Sequence, residues 1–126
     1  MEKNIINSNN APAPIGPYSH ATSFGNLLFV SGQVPMNPVT GEIINSSVKD
    51  ETEMVMQNLK AILIDAGIGF ENVLKATIFI MDMAMFNEVN EVYGKYFPQN
   101  PPARETVQVA GLPRGVNVEI SVIAHL

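Results

Sequence analysis

The run Val116-Asn117-Val118-Glu119-Ile120-Ser121-Val122-Ile123-Ala124 alternates in character with a period of two. A strand sends successive side chains to opposite faces, so Val116, Val118, Ile120, Val122 and Ala124 share one face while Asn117, Glu119 and Ser121 share the other. The chain must therefore build a sheet with one thoroughly apolar face. Glu119 stands among β-branched residues on the opposite side, and a carboxylate in such surroundings needs a reason to be there. Fifteen residues upstream lies Arg104, one of only two arginines, in Pro101-Pro102-Ala103-Arg104-Glu105-Thr106-Val107. The two prolines fix φ just ahead of it, which suits a guanidinium that grips a planar anion at two points. A cation and a carboxylate of this kind suggest a receptor for a small carboxylic acid.

Around that strand the pattern reads ββ-α-β-α-ββ. Residues 8–17 hold three prolines and a glycine and read as an ordered loop. Tyr18–Phe24 and Leu27–Val30 flank Gly25-Asn26, a two-residue hairpin turn. Pro35–Gly41 is a second turn-rich loop. Ser47 is a plausible N-cap, with Asp50 and Glu51 in the first turn, and Val55, Leu59, Ile62, Leu63 and Ala66 form a helical stripe ending at Gly67. Val73–Met81 alternates, with Leu74, Ala76, Ile78 and Ile80 expected on one face and Lys75, Thr77, Phe79 and Met81 on the other. Asp82 is expected to cap a second helix whose stripe is Phe86, Val89, Tyr93, Tyr96 and Phe97, stopped by Pro98. Strands at about 104–109 and 116–124 complete the set. Two helices and this strand order predict an α+β sheet with both helices on one face. The other face, with Phe79, Met81 and Ile123 beside Thr77, Gln108, Glu119 and Ser121, is too apolar for water and too polar for a core. A subunit interface containing a wet site would satisfy both halves of that description.

Composition narrows the function classes. At 126 residues the chain is one domain, 1–126. Twelve acids against seven bases, a net charge of −5, leave no general attraction to phosphate backbones, so nucleic-acid partners are not expected. The absence of cysteine excludes disulfides and thiolate chemistry. No Gly-rich phosphate loop precedes a helix, and His20 and His125 have no ligand-spaced partner, so neither nucleotide nor metal is expected. Without an apolar run of signal or membrane-spanning length, a cytoplasmic location and no membrane partner are the expectation. Ser31 lacks a nucleophile elbow, but its hydroxyl and the backbone around Gly32 suit a small ligand. Tyr18 is read as a packed aromatic or a pocket wall, and Asn90, beside the second helix's stripe, as a polar group that must find a partner.

Taken in order, Gly16-Pro17-Tyr18-Ser19, Ser31-Gly32-Gln33-Val34-Pro35, Asn58-Leu59-Lys60, Ala66-Gly67, Asn90-Glu91-Val92-Tyr93, Pro102-Ala103-Arg104, Leu112-Pro113 and Val118-Glu119-Ile120 resemble the RidA (YjgF) family of reactive imine deaminases over essentially the whole chain. The resemblance implies a chorismate-mutase-like α+β fold, with one mixed sheet of about six strands and two helices on one face. It also implies a homotrimer with three inter-subunit clefts, where 2-iminopropanoate or 2-iminobutanoate is hydrolysed to the 2-oxo acid and ammonia without a cofactor. By the same resemblance Arg104 would hold the substrate carboxylate and Glu119 would orient water. Tyr18, Ser31, Gly32 and Asn90 would line the cleft, and the backbone N–H of Thr106 would add a donor. Two departures stand out: Glu105-Thr106 replaces a common Ser-Cys, and His20 replaces a common Gln. The competing expectations are a trimer that binds 2-oxo acids without turnover and, for an acidic chain less favoured, an RNA-directed ribonuclease.

Overall fold

The computed structural model describes residues 1–126. Six strands, β1 (Asn4–Ile6), β2 (Ala21–Phe24), β3 (Leu27–Gln33), β4 (Val73–Ile80), β5 (Ala103–Gln108) and β6 (Val118–His125), form one sheet in the order β1-β2-β3-β6-β4-β5. Only β4 and β5 pair in parallel, so the sheet is mixed and β5 is an open edge. Two helices, α1 (Val48–Asp65) and α2 (Phe86–Gly94), pack on each other, and α1 lies against β3 and β6. No helix is long and apolar enough to cross a membrane.

Helix α1 forms as its sequence dictates. The Ser47 hydroxyl accepts from the Asp50 N–H at 3.0 Å, acids occupy the first turn, and Val55, Leu59, Ile62 and Leu63 are fully buried. Gly67 then takes a left-handed φ of +81°, which ends the helix at no steric cost. The first turn also fixes β6: the Glu51 carboxylate, 1% exposed, accepts from the Asn117 N–H at 2.9 Å and from Asn117 Nδ2 at 2.6 Å. These charge-assisted bonds lock the residue just before β6 and hence the register that carries Glu119. Alternation along β6 holds as the sequence requires, with Val118, Ile120, Val122 and Ala124 buried toward the helices.

Four local expectations are corrected. Asn4–Ile6 pairs with β2 as a sixth strand that no sequence signal marked. The first hairpin strand begins at Ala21, not Tyr18, because the Tyr18 N–H turns back to the Gly16 carbonyl at 2.9 Å. In β4 a register shift between Val73 and Lys75 leaves Val73 buried and Leu74 exposed, reversing the face expected for Leu74. Asp82 caps a 3-10 turn at Met83–Met85 rather than α2 itself, which begins at Phe86.

Candidate functional site

Register decides where the candidate residues point. Across the sheet Ala21, Val30, Val122, Ala76 and Arg104 are successive partners, and the first four face the core. Arg104 ends that row and therefore turns to the helix side, where α2 receives it. Its Nη1 donates to Asn90 Oδ1 at 2.6 Å, and its guanidinium lies 5.1 Å from the Tyr93 ring centroid and 5.5 Å from that of Phe86. Two aromatic faces and one amide hold the plane of the cation, with N–H groups to spare for a ligand. Asn90, exposed on the protomer, finds its partner in Arg104. Tyr93 is itself gripped by Phe97 at 4.7 Å, and Phe97 meets Phe70 edge-on at 5.4 Å. Burial pushes the Tyr93 hydroxyl up to about 12 against the opposing pull of Arg104, so it stays protonated; that hydroxyl and the Thr106 hydroxyl have no hydrogen-bond partner.

The backbone of β5 adds donors. Val109 N–H donates to Ile80 carbonyl at 3.0 Å. N–H direction alternates along a strand, so those of Arg104, Thr106 and Gln108 face the open edge. Arg104, Asn90, Pro101 and Pro102 line one shallow cleft with Tyr93, Gly94 and Phe97.

Glu119 belongs to another row and another face. It pairs with Phe79, which pairs with Val107, and all three point away from the helices. Its carboxylate lies over the bulge that β3 makes between Val30 and Gln33. At Gly32 any Cβ would stand 2.6 Å from Glu119 Oε2, so only glycine lets the carboxylate lie there. The Ser31 hydroxyl donates to the Ser19 carbonyl at 2.6 Å, and the Tyr18 hydroxyl accepts from the Ile15 N–H at 3.3 Å. With Pro12, Ala13 and Arg114 these residues line a cleft of about 490 Å³. Burial raises the Glu119 carboxyl above the ordinary glutamate value, and no hydrogen bond or cation of its own chain offsets this.

The seven candidate residues thus fall into two groups. Tyr18, Ser31, Gly32 and Glu119 line one cleft; Asn90, Arg104 and the Thr106 edge lie at another. Strand spacing and the three-residue offset along β4 put the Cα atoms of Arg104 and Glu119 roughly 14 Å apart, with side chains on opposite faces. Within one chain they do not meet. Sequence reasoning missed Arg114 and Pro12–Ala13 as cleft lining. Arg114 could have been found from Leu112-Pro113-Arg114-Gly115, a turn leading directly toward the strand that carries Glu119; its φ is +60°.

A mixed six-stranded sheet backed by two helices, with an edge cation on one face and a bulge-seated carboxylate on the other, defines a chorismate-mutase-like α+β protein with a cleft on each face. Residues 8–126 match the family model described as Endoribonuclease L-PSP. The chain belongs to this family, that of the YjgF/RidA proteins. It is 48% identical to a RutC family protein of Pyrococcus horikoshii, over 98% of both chains. It is 43% identical to the 2-iminobutanoate/2-iminopropanoate deaminase of Mus musculus, over 97% of this chain and 90% of that protein. The crystal structure of E. coli TdcF with bound serine superposes with a TM-score of 0.93 at 40% identity, covering 98% of each chain.

Proposed function

We propose that this protein hydrolyses reactive imino acids, 2-iminopropanoate and 2-iminobutanoate, to the corresponding 2-oxo acids and ammonia, in sites formed between subunits of a homotrimer. The observation that carries the reading is the division of the machinery: a planar cation on the helix side of an edge strand and a raised-pKa carboxylate on the opposite face. A cyclic assembly that buries the uncovered sheet face lets Arg104 of one copy approach Glu119 of the next. Exposed Phe24, Leu27, Phe29 and Val107 on the sheet supply apolar surface for such contacts. The relative named as an imine deaminase, and the serine carried by a structural neighbour, support a small amino or imino acid ligand.

The chemistry asks little of the protein. Arg104, its plane fixed by Asn90, Phe86 and Tyr93, takes the substrate carboxylate at two points, and the Thr106 N–H adds a donor. Glu119 orients a water and accepts its proton as the oxygen attacks the imine carbon. Glu119 returns that proton to the nitrogen of the tetrahedral adduct, which collapses to the carbonyl as its hydroxyl proton is lost to the departing amine; the C–N bond breaks, ammonium leaves and one water is consumed per turnover. A protonated imine is already electrophilic, so positioning and charge stabilisation suffice. Neither cleft contains a histidine, and the net charge of −5 disfavours RNA as substrate.

The test is to generate the imine in situ with a pyridoxal-phosphate dehydratase and follow the appearance of oxo acid. Acceleration by this protein, lost in Arg104→Ala, supports deamination. Binding of 2-oxobutanoate without acceleration would instead favour a carboxylate-binding trimer with no turnover.

A further inference from the structure

His20 is 1% exposed, yet neither ring nitrogen is idle. Nδ1 receives the Ser8 N–H at 2.9 Å, and Nε2 lies 2.6 Å from the Pro12 carbonyl. A backbone N–H can only donate, so Nδ1 is the bare nitrogen and the ring hydrogen sits on Nε2, donated to Pro12. The His20 N–H donates in turn to Asn7 Oδ1 at 3.0 Å, and the His20 carbonyl accepts from the Ser31 N–H at 2.9 Å. One residue therefore ties the loop 7–12 to the β3 bulge that seats Glu119. That loop continues into Pro12, Ala13, Ile15 and Tyr18, a wall of the Glu119 cleft.

We propose that the neutral imidazole of His20 is a positioning group that holds this wall, and that protonating it releases the wall and weakens ligand binding in the cleft. A second ring hydrogen would place a donor at Nδ1 against the Ser8 N–H, converting a hydrogen bond into the opposition of two donors in a buried site. Little nearby offsets that. From Asn4 to Gly41 the only other titratable side chain is Tyr18. On neighbouring elements, Lys60 and Asp65 of α1 face Asn10 across a groove, Arg114 and Glu119 line the cleft opposite Pro12, and Glu2 and Lys3 precede β1. No carboxylate forms an ion pair with His20; the two ion pairs are Lys49–Glu91 and Lys75–Glu105.

Hydrogen exchange tests the latch without relying on the deaminase reading. Amide protection in residues 8–16 is measured from about pH 5 to 8 in the wild type and in His20→Gln, whose amide can accept from Ser8 and donate to Pro12 at every pH. The expected result is a roughly tenfold or greater acid loss of loop protection in the wild type, with Leu28 and Ile120 unaffected and His20→Gln flat. The dissociation constant for 2-oxobutanoate should rise in step in the wild type only. Loop protection that is constant with pH in the wild type, or that falls equally in His20→Gln, overturns the proposal. So does a ring ¹⁵N spectrum of the wild type at neutral pH showing the hydrogen on Nδ1, a reading that needs no variant to fold. Acid loosening of the loop without weaker binding would leave His20 a structural tie and refute its role in the cleft.

Discussion

Gly32→Ala is the smallest change that should separate catalysis from folding. An ideal Cβ there lies 2.6 Å from Glu119 Oε2, 2.8 Å from Cδ and 3.0 Å from Cγ. Ordinary contact begins near 3.4 Å, so the carboxylate oxygen must retreat by about 0.8 Å. The backbone at Gly32 lies outside the left-handed region, so alanine itself is not strained there. What yields is the end of a flexible side chain, and stability should fall by less than about 1 kcal/mol. Catalysis is less forgiving, since a misplacement near 1 Å can cost about 100-fold in rate. Urea denaturation and imine-hydrolysis kinetics on the same preparation are the assay. A near-normal urea midpoint with kcat reduced by one to two orders of magnitude is expected. Full kcat in Gly32→Ala would refute the claim that the seat of Glu119 on the bulge matters, and a large loss of stability would recast Gly32 as a packing residue.

Arg104→Lys keeps the charge but not the two-point grip; the loss should be about 2 to 4 kcal/mol of transition-state binding, roughly 30- to 1,000-fold in kcat/KM, and near-normal turnover would make Arg104 an ordinary edge residue. Glu119→Gln should leave calorimetric binding of 2-oxobutanoate nearly intact while hydrolysis collapses, whereas Arg104→Ala should abolish both. Because burial raises the folded pKa of Glu119, the stability linked to its protonation is present at acid pH and lost as pH rises through the folded value; Glu119→Gln should therefore melt no lower than the wild type at pH 7. For the same reason kcat should fall toward acid with a midpoint above the ordinary glutamate value of about 4.3, and this limb should persist in His20→Gln.

The parts of this fold that were legible in the sequence are those in which burial imposes a long period. Val118 to Ala124 alternates because one face meets α1, and Val55 to Leu63 recurs at helical spacing because one stripe meets the sheet. The parts that were not legible depend on what lies across from a residue. Asn4–Ile6 is a three-residue edge strand with almost no burial, so it leaves no pattern. Leu74 is turned outward by a register shift, and the bulge at Ser31–Gly32 exists only relative to β6. Arg104 and Glu119 stood out as residue types in unusual settings, whereas their opposite faces follow from the pairing of three strands. His20 offered no periodic signal at all; its role rests on Ser8 and Pro12, 12 and eight residues away.

The central claim is that a working site takes Arg104 from one subunit and Glu119 from another, and complementation between two inactive variants tests it most directly. Arg104→Ala and Glu119→Gln chains are co-expressed with different tags, mixed assemblies are purified through both tags, and imine hydrolysis is compared with each variant alone. In every mixed trimer, two chains of one kind and one of the other, one of the three interfaces joins an intact Arg104 to an intact Glu119, so roughly a third of wild-type activity should return. If mixed assemblies form and show no activity beyond that of the parent variants, the two residues do not meet across a subunit boundary and the account fails.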